Sequence, residues 1–186
     1  MNWTTRWAAA CLCMAVLAGC AKGPVTGSAR LKVGDVAPTF TLPALMTNEE
    51  FIMARMFQDN VATVVVIWSM TCPTCREAMT ECERIYRQYT GQTVAFLGVN
   101  FDAENINGVR AFLKAEAITF PNAWDPRSRA ARGYRSLDYT FSVFVVDRDR
   151  QLKWVQYDHP PDLAVLLAQA IDKTVAEAVR ENTRQK

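Results

Sequence analysis

Apolar residues in this chain fall into continuous runs and periodic stripes. Residues 61–68 (Val-Ala-Thr-Val-Val-Val-Ile-Trp) are apolar almost throughout, and residues 93–99 form a second such run. Short, unbroken runs rich in β-branched side chains predict strands buried on both faces. Residues 73–89 predict a helix that Gly91 ends, because glycine tolerates the backbone turn past a last helical carbonyl. Residues 104–116 place Val109, Phe112 and Leu113 on one helical face. Residues 142–146 and 152–157 read as two strands of a hairpin, joined by the polar turn Asp147-Arg148-Asp149-Arg150. Residues 163–179 are an amphipathic helix, residues 39–42 a short strand stopped by Pro43, and residues 49–57 fit a strand-turn as well as a helix. Strand–helix–strand–helix, then a hairpin and a helix, predicts an α/β sandwich: a central mixed sheet with helices on both faces.

The N-terminus has a different character. Arg6 is its one charge before residues 7–18, which are apolar and too few to span a bilayer comfortably. Leu17-Ala18-Gly19-Cys20 resembles the lipobox of bacterial lipoproteins. That resemblance implies a leader over 1–19, lipidation of Cys20, a lipidated tether over 20–30 and one domain over 31–186. It also implies a bacterial envelope, extracytoplasmic location. Ala21 follows the cysteine where an aspartate resembles an inner-membrane retention signal, so outer- and inner-membrane anchoring both stay open. An uncleaved apolar anchor is the alternative. Loss of Arg6 lowers the formal charge from +2 to +1, which leaves no basic surplus for nucleic acid.

The chemistry sits after the first apolar run. Cys72-Pro73-Thr74-Cys75 joins the expected strand to the expected helix. A buried strand ending in Cys-x-x-Cys is a redox arrangement. Unpaired N–H groups and the helix dipole at a helix start stabilise a thiolate, the nucleophile of disulfide exchange. Cys72 is therefore the expected attacking thiol and Cys75 the resolving one, with no cofactor beyond that redox-active disulfide. A zinc half-site is the alternative, but His159 is the one histidine and no second Cys-x-x-Cys follows the leader. A structural disulfide of this span would close almost no loop.

At this point the chain resembles the thioredoxin-like oxidoreductases of the bacterial envelope, the TlpA/ResA/DsbE-like group. The resemblance rests on Val33-Gly34-Asp35-Val36-Ala37-Pro38-Thr39-Phe40-Thr41-Leu42, on Trp68 through Glu77, on Leu97-Gly98-Val99-Asn100, and on Phe120-Pro121 with Asp125 beyond. It implies a thioredoxin-like sandwich, protein thiols and disulfides as partners, an upstream membrane redox donor, and a partner-binding surface of Trp68, Pro73, Thr74, Thr140 and Phe141. Trp68 and Met70 are expected to frame the site with apolar surface. The Pro-Thr pair is similar to that of cytochrome c maturation thioredoxins. Related peroxiredoxins carry proline and threonine where this chain has Val65 and Ser69, which argues against peroxidase chemistry.

Three departures stand out. The slot of the family's cis-proline falls near Phe141, so a trans peptide is expected, a non-proline cis bond costing about 2.5–4 kcal/mol. Phe141 is expected to add bulk beside the sulfur, and Phe141→Pro to raise general reductase activity. The family's glutamate three places after the second cysteine is Ala78; Glu77 lies about 100° around the helix. The buried aspartate of thioredoxins corresponds to Val66, and the proline of the cysteine helix to Thr80. Cys82 reads as a buried inert thiol, His159 as a surface histidine, and Arg127, Arg129, Arg132 and Arg135 as a solvated face. A copper-handling or protein-binding module on the same fold, with His159 beside the cysteines, is the alternative function.

Overall fold

The computed structural model describes residues 29–71 and 74–184. In chain order the elements are β1 (Thr41–Pro43), β2 (Glu50–Ile52), α1 (Met53–Asp59), β3 (Ala62–Trp68), α2 (Cys75–Tyr89) and β4 (Val94–Asn100). Then follow α3 (Ile106–Ala115), β5 (Asn122–Trp124), α4 (Arg129–Gly133), β6 (Phe141–Asp147), β7 (Leu152–Tyr157) and α5 (Leu163–Arg184). The leader and most of the tether, residues 1–28 with Cys20, lie outside the described residues, as do Cys72 and Pro73.

The apolar run of β3 is the middle of a five-stranded sheet ordered β5-β4-β3-β6-β7. β3 is parallel to β4 and antiparallel to β6; β4 is parallel to β5, and β7 antiparallel to β6. Every residue of β3 is buried, for a reason the sheet supplies. Ala62, Val64, Val66 and Trp68 enter a core shared with α2, α3 and α5, while Val65 and Ile67 enter one shared with α1 and α4. With helices on both faces, alternation of polar and apolar residues has no solvent side to serve. The sheet is mixed and the layers are those of a thioredoxin-like sandwich.

Residues 49–57 hold both expected forms in sequence: β2 pairs with β1, and α1 begins at the next residue. Gly91, at φ +81°, ends α2 as expected. Two elements, β5 and α4, are absent from the pattern reading. At three and five residues they are too short to show a period. Helix α2 starts at Cys75 with Thr74 as its cap, two residues later than the sequence reading has it, and α5 continues beyond 179 to Arg184.

Candidate redox site

The site is assembled at the carboxyl end of β3, where its neighbours β4 and β6 present the end of one strand and the start of another. Strand ends of this kind gather ligand-binding loops in α/β sheets. The loop after β3 is fixed by one side chain from the β4 end. Asp102 accepts from Ser69 Oγ at 2.5 Å, from the Met70 backbone N–H at 2.8 Å and from Asn100 Nδ2 at 2.8 Å. Ser69 Oγ in turn accepts from the Thr71 N–H at 3.1 Å, one residue before Cys72. Asp102 belongs to no nucleophile or metal-ligand motif of the sequence. Its clue is the polar pair Asn100 and Asp102 closing a strand that is otherwise apolar.

Cys75 is the first residue of α2 and is only 2% exposed. Its Sγ donates to the Thr140 carbonyl at 3.3 Å, and the same carbonyl accepts from the Ser69 N–H at 3.0 Å. Cys75 is thus seated against the segment that starts β6. Among the described residues no peptide bond is cis, so the bond between Thr140 and Phe141 is trans. The Thr140 carbonyl points inward, occupied by Ser69 and Cys75, while the residue itself is exposed.

Several expectations are corrected. Trp68 offers no surface: it is 0% exposed, packs on Phe112 at 5.5 Å between ring centroids, and donates its indole N–H to Asn122 Oδ1 at 3.0 Å. Phe141 is likewise 1% exposed and sits in the core instead of beside a substrate. Both point into the sheet–helix interface because they are registered opposite one another on β3 and β6. Among the described residues, Met70, Thr74 and Thr140 are the exposed members of the expected surface; Pro73 lies outside them. A cleft of about 370 Å³ opens between Met70, Thr71, Asp102 and Val109. A larger one of about 420 Å³, between Lys153 and Glu177, lies at the opposite end of the sheet beside Val61, away from the cysteines.

His159 is not a surface histidine. Its side chain is 10% exposed, its ring meets Phe141 edge-on at 6.1 Å, and its Nε2 lies 3.6 Å from Glu81 Oε2. The chain enters this position through Asp158 at φ +66°, whose N–H donates to the Phe141 carbonyl at 3.0 Å. Glu77 is exposed and Ala78 buried, as the helical phase requires, and Val66 is wholly buried. Cys82 is a free thiol, fully buried; burial, and then the charge of Glu81, push its pKa far up, so it is inert as a nucleophile. Arg127, Arg129, Arg132 and Arg135 are exposed. Glu83 is a buried carboxylate that the sequence reading passes over. It accepts from the Thr119 hydroxyl and N–H, the Phe120 N–H and Arg87 Nε, and so holds the turn before β5.

The model of the AhpC/TSA family matches residues 33–155. The chain belongs to the AhpC/TSA family. No curated protein matches it in sequence. Among solved structures it is similar to a Chlorobium tepidum protein proposed to be the thiol:disulfide interchange protein DsbE, at 22% identity and a TM-score of 0.69, covering 78% of this chain and 99% of that one. It is also similar to a DsbF homologue from Corynebacterium diphtheriae, at 21% identity and a TM-score of 0.63, covering 77% and 87%. A third is a secreted Mycobacterium tuberculosis disulfide oxidoreductase homologous to E. coli DsbE, at 16% identity and a TM-score of 0.61, covering 72% and 95%. At these identities the likenesses establish the fold, which is thioredoxin-like. Within the AhpC/TSA family this chain has Val65 and Ser69 ahead of its cysteines, and Val65 is buried in mid-strand.

Proposed function

We propose that this AhpC/TSA-family chain is an extracytoplasmic thiol–disulfide oxidoreductase working through the Cys72–Cys75 pair and tethered to a membrane by lipid on Cys20. The observation that carries the redox reading is the seat of Cys75. It is buried at the first turn of α2, at the carboxyl end of the central strand, with its thiol against the Thr140 carbonyl. The names of the structural neighbours support the same reading.

In the reducing direction the Cys72 thiolate attacks one sulfur of a partner disulfide. The partner S–S bond breaks, its other sulfur leaves as a thiolate and takes up a proton, and a mixed disulfide forms. Cys75, giving its proton to solvent, then attacks the Cys72 sulfur and releases the second partner thiol. Two electrons pass to the partner and a Cys72–Cys75 disulfide remains, to be reduced again by a membrane redox donor. Thr74 and Thr140, with Met70, provide the exposed surface for the partner segment. The Pro73–Thr74 pair points to cytochrome c maturation or envelope thiol reduction as the setting. Removing the resolving thiol tests this directly. Cys75→Ser should accumulate thiol-sensitive mixed disulfides in cells and Cys72→Ser should not; adducts that form equally in both variants would refute the roles. Cys20→Ser should release the protein from the membrane fraction, and unchanged size and attachment would mean the apolar leader is the anchor.

A further inference from the structure

Among the described residues three buried polar side-chain atoms have no hydrogen-bond partner, Glu81 Oε2, Ser142 Oγ and His159 Nε2, and the first and last of these face each other. Their separation of 3.6 Å is too long for a hydrogen bond and within reach of charge attraction. A buried polar pair is weak as a device for overall stability, since apolar residues of similar size often serve as well. What this pair joins is specific. Glu81 lies on α2, the helix that opens with Cys75. His159 follows β7, lays its ring edge against Phe141, and succeeds Asp158, which is hydrogen-bonded to the Phe141 carbonyl. Phe141 follows Thr140, whose carbonyl receives the Cys75 thiol. The contacts form a closed circuit: Cys75 to Thr140, Phe141 to His159, His159 to Glu81, and back along α2. Ahead of Thr140, Tyr139 packs on Tyr157 at 4.8 Å between ring centroids, which ties the shelf to β7 but not to α2, and Leu137 and Asp138 are exposed.

We propose that Glu81 and His159 are positioning residues that clamp the Thr140–Phe141 shelf to the cysteine helix, so that the exposed Thr140 meets a peptide partner in one fixed geometry. The peptide role of the shelf rests on the thiol–disulfide reading above; the clamp itself does not. Other groups near the pair do not replace it. On α2, Glu77 and Arg84 are exposed and Cys82 is an uncharged thiol. On β6 the neighbours are Phe141 and the uncharged Ser142, and Asp158 and Asp162 are exposed.

The test uses the full chain with two single variants and their combination. His159→Phe keeps a ring against Phe141 and removes the polar contact; Glu81→Gln removes the charge from a partly exposed site, and it carries the test should His159→Phe not fold. With a disulfide-bonded peptide as substrate, each variant should raise KM at least about fivefold with kcat nearly unchanged, and the double variant should do no more than the worse single. Amide exchange at Ser69 and Asp158, which donate to the shelf carbonyls, should speed by a similar factor while Leu97 in β4 stays protected. Unchanged KM and unchanged exchange in the folded variants, or effects that multiply in the double variant, would overturn the clamp. A wild type inert towards both the peptide and a small aromatic disulfide would refute the thiol–disulfide reading instead, and amide exchange would still decide the clamp.

Discussion

Gly98 illustrates how single residues set this site from behind. A Cβ at Gly98 would lie 2.0 Å from Asn122 Oδ1, the atom that receives the Trp68 indole. The glycine is there for space, since its backbone is ordinary. Gly98→Ala should cost about 2–3 kcal/mol, combining overpacking with a displaced buried hydrogen bond; denaturant unfolding measures it, and a loss below half a kcal/mol would contradict the contact. Glu83 makes a pH prediction. Burial opposes its charge, but hydrogen bonds from the Thr119 side chain, Arg87, and the Thr119 and Phe120 N–H groups outweigh that and hold its pKa below 4.5. A carboxyl lowered in the folded state stabilises the fold above its unfolded pKa, and that share is lost as pH falls through the folded value. Glu83→Gln should therefore be less stable than the wild type near neutral pH, by about 2 kcal/mol. The difference should shrink as pH falls through the lowered folded value. A difference constant from pH 7 to pH 3 would show that the carboxylate is not the source.

At the scale of elements, the site depends on three chain ends meeting: the loop after β3, the end of β4 and the start of β6. Asp102 binds the first to the second. Asp102→Ala should lower stability by about 2 kcal/mol and slow thiol exchange, because three donors next to the cysteine loop lose their acceptor. Stability and exchange rate both equal to the wild type would rule that out. The start of β6 revises an expectation made from sequence. With Phe141 buried and paired opposite Trp68, Phe141→Pro removes a core aromatic, so it should destabilise the protein by about 3–5 kcal/mol instead of raising its activity. A folded Phe141→Pro variant of wild-type stability would contradict this. The long elements were legible because their periods run over many residues: the buried run of β3, the stripe on α3 and the hairpin of β6 and β7. β5 and α4 were not, because three and five residues carry no period.

For the whole molecule, the sandwich could be read from element order, and the spacing of Cys72 and Cys75 marked the loop after β3 as the candidate site. What could not be read was which way side chains at strand ends face. Trp68 and Phe141 look like site residues by position and are core residues by register. His159 looks like a lone surface group because nothing in sequence links residue 159 to residue 81; only the fold, which brings the segment after β7 to α2, does. The central claim is that Cys72 and Cys75 form one reversible dithiol–disulfide couple. Equilibrating the protein in a series of thiol redox buffers, then alkylating and weighing it, tests that most directly. The account predicts a single two-electron transition in which Cys72 and Cys75 change state together while Cys82 stays reduced, and no such transition in Cys72→Ser or Cys75→Ser. A wild type that shows no reversible transition, or a transition that survives either substitution, would contradict it.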